Sequence, residues 1–264
     1  MGKNRFGFHV QAHRGASCEL QENTVPSFRK AIEVGADSIE LDVHVSKDGV
    51  VVVFHDFLVS PKSCQGIRSE VPIHSLSWTE ISHLEVRNPK RLRQFHHIEG
   101  DEAKIPKLID VFQALTNDPI TIDIEMKTDL GHPDWSVSPK EFAEKVVADI
   151  EAHWKGKAVA LRSFDYRILE EVRRLNATLP IIALTPDSLT EYQAIAEALK
   201  PVLIAPWKDS ITKEQIGWLK KMGIEVMPYT VNKKEDWEKF RDWGAFGVTT
   251  DDPRGLIAFL KTCA

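Results

Sequence analysis

The sequence of 264 residues has few cysteines and no long apolar run. Its three cysteines, Cys18, Cys64 and Cys263, are far apart and form no CxxC pair, which argues against a disulfide framework or a thiolate zinc site. No apolar stretch approaches the roughly 20 residues that span a bilayer, and the first nine residues lack the apolar core of a signal peptide. We therefore expect no stable membrane insertion and, provisionally, a cytoplasmic protein, although the removal of a signal peptide would leave the same sequence.

A large surplus of charge of one sign is also missing. Lys and Arg number 34 and Asp and Glu number 39, which gives a net charge of −5. This balance argues against a general binder of nucleic acid or of anionic membranes. Any phosphate group that the protein handles must therefore be recognised locally. Hydrophobic residues (42%) and charged residues (28%) are close to globular averages, which indicates a folded chain.

Short β-branched segments alternate with amphipathic helical segments along the whole chain. The predicted strands are residues 8–12, 38–45, 50–54, 120–126, 158–162, 181–184, 202–205, 225–229 and 246–249. The predicted helices are residues 24–34, 107–115, 140–154, 166–175, 189–199, 213–222, 235–243 and 254–260. A strand followed by a helix, repeated in this way, predicts a parallel sheet.

The number of strands is one too many for an eight-stranded barrel, and the second and third strands explain why. Only Lys47, Asp48 and Gly49 separate them, and Asp-Gly between apolar runs is a strong hairpin signal. Because a parallel crossover needs about a dozen residues or more, the third strand must return antiparallel. The remaining strands predict an α/β fold, a (β/α)8 TIM barrel, formed by a single domain (residues 1–264) with a long insertion at residues 56–105.

The length of the hairpin loop decides which residue faces the second strand. A two-residue loop at Asp48-Gly49 pairs Lys47 with Val50 and places His55 directly opposite Asp42, on the same face. A three-residue loop would shift the pairing by one residue and turn His55 to the other face. We predict the two-residue loop.

Reactive side chains collect where the predicted strands end, which is where barrel enzymes have their active sites. Glu40 and Asp42 lie two residues apart inside an apolar strand and therefore share one face. Burying two carboxylates costs several kcal/mol unless they are paired or bound to a metal. The pair predicts a bound cation or, alternatively, a structural salt-bridge network with Arg14 and Lys127. Asp123 shares the face of Glu125 and is expected to support the ligands.

An ordered set of motifs resembles the glycerophosphodiester phosphodiesterase family. It covers the chain from end to end apart from residues 57–104, and the set is far more specific than any one member. The motifs are Ala12-His13-Arg14-Gly15, Glu22-Asn23-Thr24, Glu40-Leu41-Asp42-Val43, Lys47-Asp48-Gly49, His55-Asp56, Glu125-Met126-Lys127, Ser163-Phe164-Asp165, Thr230-Val231-Asn232 and Thr250-Asp251-Asp252-Pro253.

The resemblance implies a metal-dependent hydrolase that converts glycerophosphodiesters to sn-glycerol 3-phosphate and an alcohol. By position, Glu40, Asp42 and Glu125 would hold one divalent cation, Ca²⁺ or Mg²⁺, since hard cations prefer carboxylate oxygens. The partner would be a small-molecule phosphodiester. Neither the oligomeric state nor the headgroup can be read from the sequence.

The resemblance also implies roles for two histidines and two basic residues. His13 and His55 would act as the general acid and base, because displacement at phosphorus removes one proton and supplies another. Arg14 and Lys127 would offset charge on the phosphoryl oxygens. The sequence does not show which histidine is the acid, or whether water or the glycerol 2-hydroxyl attacks first.

Three aromatic residues at predicted strand ends, Phe164, Trp207 and Tyr229, are candidates for an apolar wall that contacts substrate. They could equally form the top layer of the core. Tyr229 stands where the family usually has Trp, which puts the substrate preference in doubt. Two rivals remain open: a phospholipase D-like activity on lysophospholipids or sphingolipids, and a binding barrel without turnover.

Overall fold

The computed structural model describes residues 6–87, 103–186 and 191–263. In chain order the strands are β1 (His9–His13), β2 (Ser38–Val45), β3 (Val51–Val53), β4 (Leu58–Val59), β5 (Cys64–Gln65), β6 (Val71–Pro72), β7 (Glu85–Val86), β8 (Thr121–Met126), β9 (Val159–Ser163), β10 (Ile181–Thr185), β11 (Leu203–Pro206), β12 (Glu225–Val226) and β13 (Gly247–Thr250). The α-helices are α1 (Val25–Val34), α2 (Trp78–Ile81), α3 (Leu108–Leu115), α4 (Pro139–His153), α5 (Tyr166–Leu175), α6 (Tyr192–Leu199), α7 (Lys213–Lys221), α8 (Lys234–Asp242) and α9 (Pro253–Lys261).

Eight of these strands run parallel, in the order β12, β11, β10, β9, β8, β2, β1 and β13. Backbone hydrogen bonds connect the two ends of this order. The amide of Phe246 donates to the carbonyl of Val226 (2.9 Å), and the amide of Thr249 donates to the carbonyl of Pro228 (3.0 Å). The predicted (β/α)8 barrel is confirmed, with β3 as the antiparallel return strand beside β2.

Alternation along β2 separates an apolar outer face from a polar face inside the barrel. Ile39, Leu41 and Val43 of β2 belong to the main core that also includes the barrel helices. The intervening residues of β2 are polar, and all eight residues of the strand are buried. Because successive side chains point to opposite faces, the polar ones lie inside the barrel. This arrangement brings the polar residues of neighbouring strands together at one depth.

A hydrogen-bonded layer of such residues crosses the barrel interior. Gln11 of β1 donates to Asp123 of β8 (2.5 Å) and accepts from Arg162 of β9 (2.9 Å) and Thr249 of β13 (2.7 Å). Burial raises the pKa of Asp123 to about 6. Asp123 therefore belongs to this hydrogen-bonded layer, and its expected support of the ligands stays a prediction.

The predicted two-residue loop of the hairpin is wrong. Val43 pairs with Val53 and Val45 with Val51, so Phe54, and not His55, stands opposite Asp42. The loop has three residues and ends at Gly49, whose φ of 85° lies in the left-handed region. Asp48 favours the longer loop, because its carboxylate accepts from Ser46 (2.7 Å) and from the amide of Trp78 (2.8 Å).

The insertion has regular structure that its sequence pattern does not reveal. Two antiparallel ribbons, β4 with β6 and β5 with β7, accompany a 3-10 helix (Ile73–Ser75) and α2. Residues 88–102 of the insertion lie outside the described residues. The insertion and the outer part of the hairpin share a small apolar core made of Val52, Phe54, Val59, Cys64, Ile73, Ile81, Leu84, Val86 and Ile105.

Side-chain caps begin the helices that follow the strand ends. Thr24 caps α1 and Ser138 caps α4, each accepting from a backbone amide of the first turn. Asp165 caps α5 and also accepts from the guanidinium of Arg167 (2.7 and 2.8 Å). In the part of the chain that the structure describes, no helix is both long enough and apolar enough to cross a membrane.

The cap of α5 should make stability depend on pH. Although burial opposes ionisation, the bonds from Arg167 hold the pKa of Asp165 below its ordinary value. A carboxylate whose folded pKa is lower than its unfolded pKa stabilises the fold above the unfolded value and loses this effect as the pH falls. We expect Asp165→Ala to lower the free energy of unfolding by about 1 kcal/mol at pH 7 and by progressively less below about pH 4.

Urea unfolding of both forms between pH 3 and pH 7 measures this difference. Ser138→Ala is the matched control, because it removes a cap that does not titrate. Its deficit should stay constant over the same range. A deficit of Asp165→Ala that also stayed constant would show that the carboxylate charge contributes nothing.

Candidate active site

Three carboxylates meet at the carboxyl-terminal ends of β2 and β8. Glu40 and Asp42 share the inner face of β2, and the register of the two strands places Glu125 of β8 beside Asp42. One oxygen of each residue lies within 4.8 Å of the others. The side chains are almost inaccessible, with 1%, 1% and 7% of their residue surfaces exposed. The structure therefore brings together the three residues that the sequence suggested as ligands.

Two basic side chains lie against this cluster. The Lys127 ammonium is 3.1 Å from Glu125 and 3.6 Å from Asp42, and the Arg14 guanidinium is 3.1 Å from Asp42. The backbone amide of Arg14 also donates to Glu40 (3.0 Å). The salt-bridge network that the sequence allowed as an alternative is therefore present.

The two carboxyls of β2 have opposite electrostatic environments. Burial and the neighbouring Asp42 raise the pKa of Glu40 well above its ordinary value. For Asp42, burial is outweighed by Arg14, His55 and Lys127, which hold its pKa well below the ordinary value. A positive charge placed beside Glu40 would therefore favour its ionised form.

The cluster fits a hard divalent cation. Among the described residues, Oε1 of Glu40 is buried without a hydrogen-bond partner, which costs free energy unless a ligand satisfies it. Carboxylate oxygens are the donors that Ca²⁺ and Mg²⁺ prefer. Glu40, Asp42 and Glu125 form a group that could hold such an ion.

The loop after β1 shapes one side of the cluster. Arg14 and Asn23 adopt left-handed backbone conformations, with φ of 57° and 56°. The Asn23 amide donates to Asp42 (2.9 Å), and Glu22 accepts from Arg14 (2.9 Å). Glu22 and Asn23 thus hold Arg14 and Asp42, while Thr24 caps the helix.

His13 extends from the end of β1 and is oriented by a carboxylate from the other end of the chain. Its Nδ1 lies 2.6 Å from Asp251, which also accepts from Asn232 (2.6 Å). Burial and the charge of Arg14 lower the pKa of His13, and Asp251 offsets this only in part. Because a carboxylate only accepts, Nδ1 of His13 donates to Asp251, which leaves Nε2 free to exchange a proton.

Asp251 and Asn232 are site residues to which the sequence analysis gave no role. Both belong to the quoted motifs, but Asp251 is 238 positions from His13 along the chain. The parallel pairing of β1 with β13, which aligns Ala12 with Thr250, brings them together. The polar residues at the end of the last strand could have indicated this role, but only with the knowledge that β13 lies beside β1 in a closed barrel.

His55 reaches the same cluster without the predicted pairing. It follows the end of β3, its Nδ1 lies 2.7 Å from Asp56, and its charge contributes to the low pKa of Asp42. The side chain of His55 is 30% exposed. The carbonyl of His55 accepts from Nε2 of His44 (3.2 Å). Each of the two candidate acid–base histidines, His13 and His55, is thus hydrogen-bonded to a carboxylate through Nδ1.

The three predicted wall residues form one aromatic cluster. Tyr229 packs edge to face against Phe164 and Trp207, with ring centroids 5.9 Å apart in both pairs. Phe164 is 39% exposed and Trp207 is 40% exposed. Burial raises the pKa of Tyr229 above its ordinary value.

A second aromatic surface lies beside Lys127 and was not predicted. The Phe57 ring centroid is 5.7 Å from the Lys127 ammonium and 6.4 Å from the Trp135 ring. Trp135 stacks on His132 at 3.8 Å. The residues come from the insertion and from the loop after β8, so sequence distance concealed their proximity.

Comparison with known sequences identifies relatives over almost the whole chain. The model of the Glycerophosphoryl diester phosphodiesterase family matches residues 13–254. A glycerophosphodiester phosphodiesterase from Caldanaerobacter subterraneus subsp. tengcongensis is 31% identical over 252 residues, which cover 96% of this chain and 97% of that protein. Lysophospholipase D GDPD1 from Homo sapiens is 27% identical over 290 residues, an alignment that covers 98% of this chain and 88% of that protein.

Comparison with solved structures agrees with this result at the level of the fold. An Oleispira antarctica phosphodiesterase in complex with the product sn-glycerol-3-phosphate gives a TM-score of 0.83 at 22% identity, with 96% of each chain covered. The family match, which spans the residues of the site, carries the assignment. This chain belongs to the glycerophosphoryl diester phosphodiesterase family.

Proposed function

We propose that the protein hydrolyses glycerophosphodiesters to sn-glycerol 3-phosphate and an alcohol, as one domain that includes the insertion at residues 56–105. The observation that carries this proposal is the three-carboxylate cluster with His13 and His55 beside it. The relative that shares 31% identity is named for this activity, and the Oleispira antarctica structure contains the corresponding product.

In this proposal Glu40, Asp42 and Glu125 hold one divalent cation, either Ca²⁺ or Mg²⁺. A cation held by these residues would supply Lewis acidity toward a phosphoryl oxygen of the substrate. Arg14 and Lys127 lie within 3.6 Å of the cluster, so their charges stabilise the additional negative charge on the phosphoryl group.

The two histidines transfer the protons in this proposal. One removes a proton from the attacking oxygen and the other donates a proton to the leaving oxygen. Asp251 holds His13 and Asp56 holds His55 by hydrogen bonds of 2.6 and 2.7 Å, which keeps Nδ1 protonated and directs Nε2 to the substrate. Phe164, Trp207 and Tyr229 contact the apolar part of one ester substituent.

Metal binding tests the role of the carboxylates. We expect calorimetry to detect Ca²⁺ or Mg²⁺ bound to the protein, and Glu40→Gln to weaken the affinity by about 10-fold or more, because one ligand loses its charge. Asp134→Asn, in the exposed loop after β8, is the control and should bind normally. Chelation should also abolish hydrolysis of glycerophosphocholine; full activity after exhaustive dialysis against EDTA would contradict the metal assignment.

Substitution of each histidine tests the acid and base assignment. His13→Ala and His55→Ala should each lower kcat by roughly 10² to 10⁴, as expected when acid or base catalysis is lost. Circular dichroism should show an intact fold. His153→Ala, an exposed histidine at the end of α4, should keep the wild-type kcat. An unchanged kcat in either site variant would assign that histidine a structural role.

A second candidate function is lysophospholipase D activity, which the apolar rim of the site favours. Leu130, Phe164 and Trp207 follow β8, β9 and β11 and are 72%, 39% and 40% exposed. Exposed apolar side chains near the mouth of a barrel can contact the acyl chain of an amphiphilic diester. The human relative lysophospholipase D GDPD1 is compatible with this candidate.

Assays with glycerophosphocholine and lysophosphatidylcholine separate the two candidates. If the rim serves an acyl chain, Leu130→Ser should lower kcat/KM for the lysolipid about 5-fold or more and leave the water-soluble diester unaffected, since about 1 kcal/mol of apolar contact is lost. Leu175→Ser, at the far end of α5, is the control. Equal effects on both substrates would exclude the rim. Binding of cation without turnover of either substrate would support the non-catalytic barrel.

A further inference from the structure

We propose that His44 is a positioning residue of the active site: its hydrogen bond to the carbonyl of His55 sets the orientation of the His55 ring. His44 has none of the catalytic, substrate-binding or metal-binding roles proposed above. The inference rests on the proposed function of His55.

The strand pairing of the hairpin ends before His55, so other contacts must set the position of His55. The last backbone bond between β2 and the return strand runs from the amide of Phe54 to the carbonyl of Asp42 (3.0 Å). His55 lies one residue beyond this bond, and regular pairing would turn it to the face opposite Asp42. The path of the chain at His55 is therefore determined by contacts other than the strand ladder.

His44 supplies such a contact. Its Nε2 lies 3.2 Å from the carbonyl oxygen of His55, and because a carbonyl only accepts, Nε2 carries the proton and donates. The ring also packs edge to face against Phe57, with centroids 5.2 Å apart. His44 thus holds the chain on both sides of Asp56, the residue that orients the ring of His55.

The position of His44 in β2 connects its contacts with His55 and Phe57 to the carboxylate cluster. It lies two residues after Asp42 on the same inner face of β2, and it is 1% exposed. Phe57, on which it packs, lies 5.7 Å from the Lys127 ammonium. The imidazole therefore links the metal-ligand strand to the segment that carries His55.

The chemistry of the side chain also favours a specific role. Among the described residues, Nδ1 of His44 is buried without a hydrogen-bond partner. Burying an unsatisfied polar atom costs free energy, so an apolar side chain would fill the same space at lower cost. The bond to His55 gives a reason for a histidine at this position.

The experiment compares two substitutions of His44 with the same substitutions of His74. His44→Leu removes the donor, and His44→Gln keeps an N–H donor. His74 is the control because its Nδ1 donates to the carbonyl of Val45 on the same hairpin (2.7 Å), and the structure shows no bond between it and His55.

We expect His44→Leu to lower kcat for glycerophosphocholine about 10- to 100-fold, because a displacement of roughly 1 Å can cost 10²-fold. KM and the calorimetric affinity for Ca²⁺ should stay within 2-fold of the wild type, and the pH dependence of kcat should change. His44→Gln should recover most of kcat. Both His74 variants should resemble the wild type.

Histidine ring NMR of the metal-free protein gives a readout that does not require turnover. The His55 ring signals should shift or broaden in His44→Leu, whereas the His13 signals stay in place. His55 signals and a pH profile identical to those of the wild type would overturn the proposal, as would a loss of Ca²⁺ affinity that matches the loss of kcat. A wild-type protein without turnover would instead contradict the proposed function, and the NMR comparison would still decide the role of His44.

Discussion

Mutual repulsion among buried carboxylates is the constraint on which the rest of the site depends. At a separation of 4.8 Å, two unit charges in a protein environment repel each other by about 3 kcal/mol. The positive charges of Arg14 and Lys127 reduce this repulsion. The charge of the buried Arg162 guanidinium, inside the barrel, also opposes the rise in the pKa of Glu40. The three carboxylates thus form a group that could hold a cation, with two basic side chains in contact with it.

This arrangement depends on closure of the barrel. β1 pairs with both β2 and β13, so His13 stands between the ligand strand and the strand that ends at Asp251. The bond between His13 and Asp251 joins residues from opposite ends of the chain. A barrel that opened between β1 and β13 would keep the three carboxylates together and still lose the group that orients His13. The proposed role of His13 therefore depends on the whole ring of strands.

Much of the site could be predicted because it depends on local periodicity. Glu40 and Asp42 share a face through the two-residue repeat of a strand, and the alternation of strands and helices places their ends with that of Glu125. Contacts between distant segments could not be predicted in this way. No local pattern relates Asn232 to Asp251, or Phe57 to Trp135, because each pair meets only through the tertiary fold.

The hairpin register shows why a local pattern can be insufficient even for neighbouring strands. Alternation sets a register when one face of a strand is polar, but residues 51–54 are Val, Val, Val and Phe, so both faces are apolar. In the structure Val51 and Val53 enter the main core, while Val52 and Phe54 enter the core of the insertion. Packing of the insertion thus distinguishes the two registers.

The insertion core also lies next to the chain segment that carries His55. Because Val52 and Phe54 stand opposite His44 and Asp42, the insertion core lies on the face of the hairpin that continues the inner surface of the barrel. The chain that leaves this core must turn at His55, where the bonds from His44 and to Asp56 replace the strand ladder. In the proposed positioning of His55, Phe54 therefore connects the apolar core of the insertion to the strand that carries Asp42.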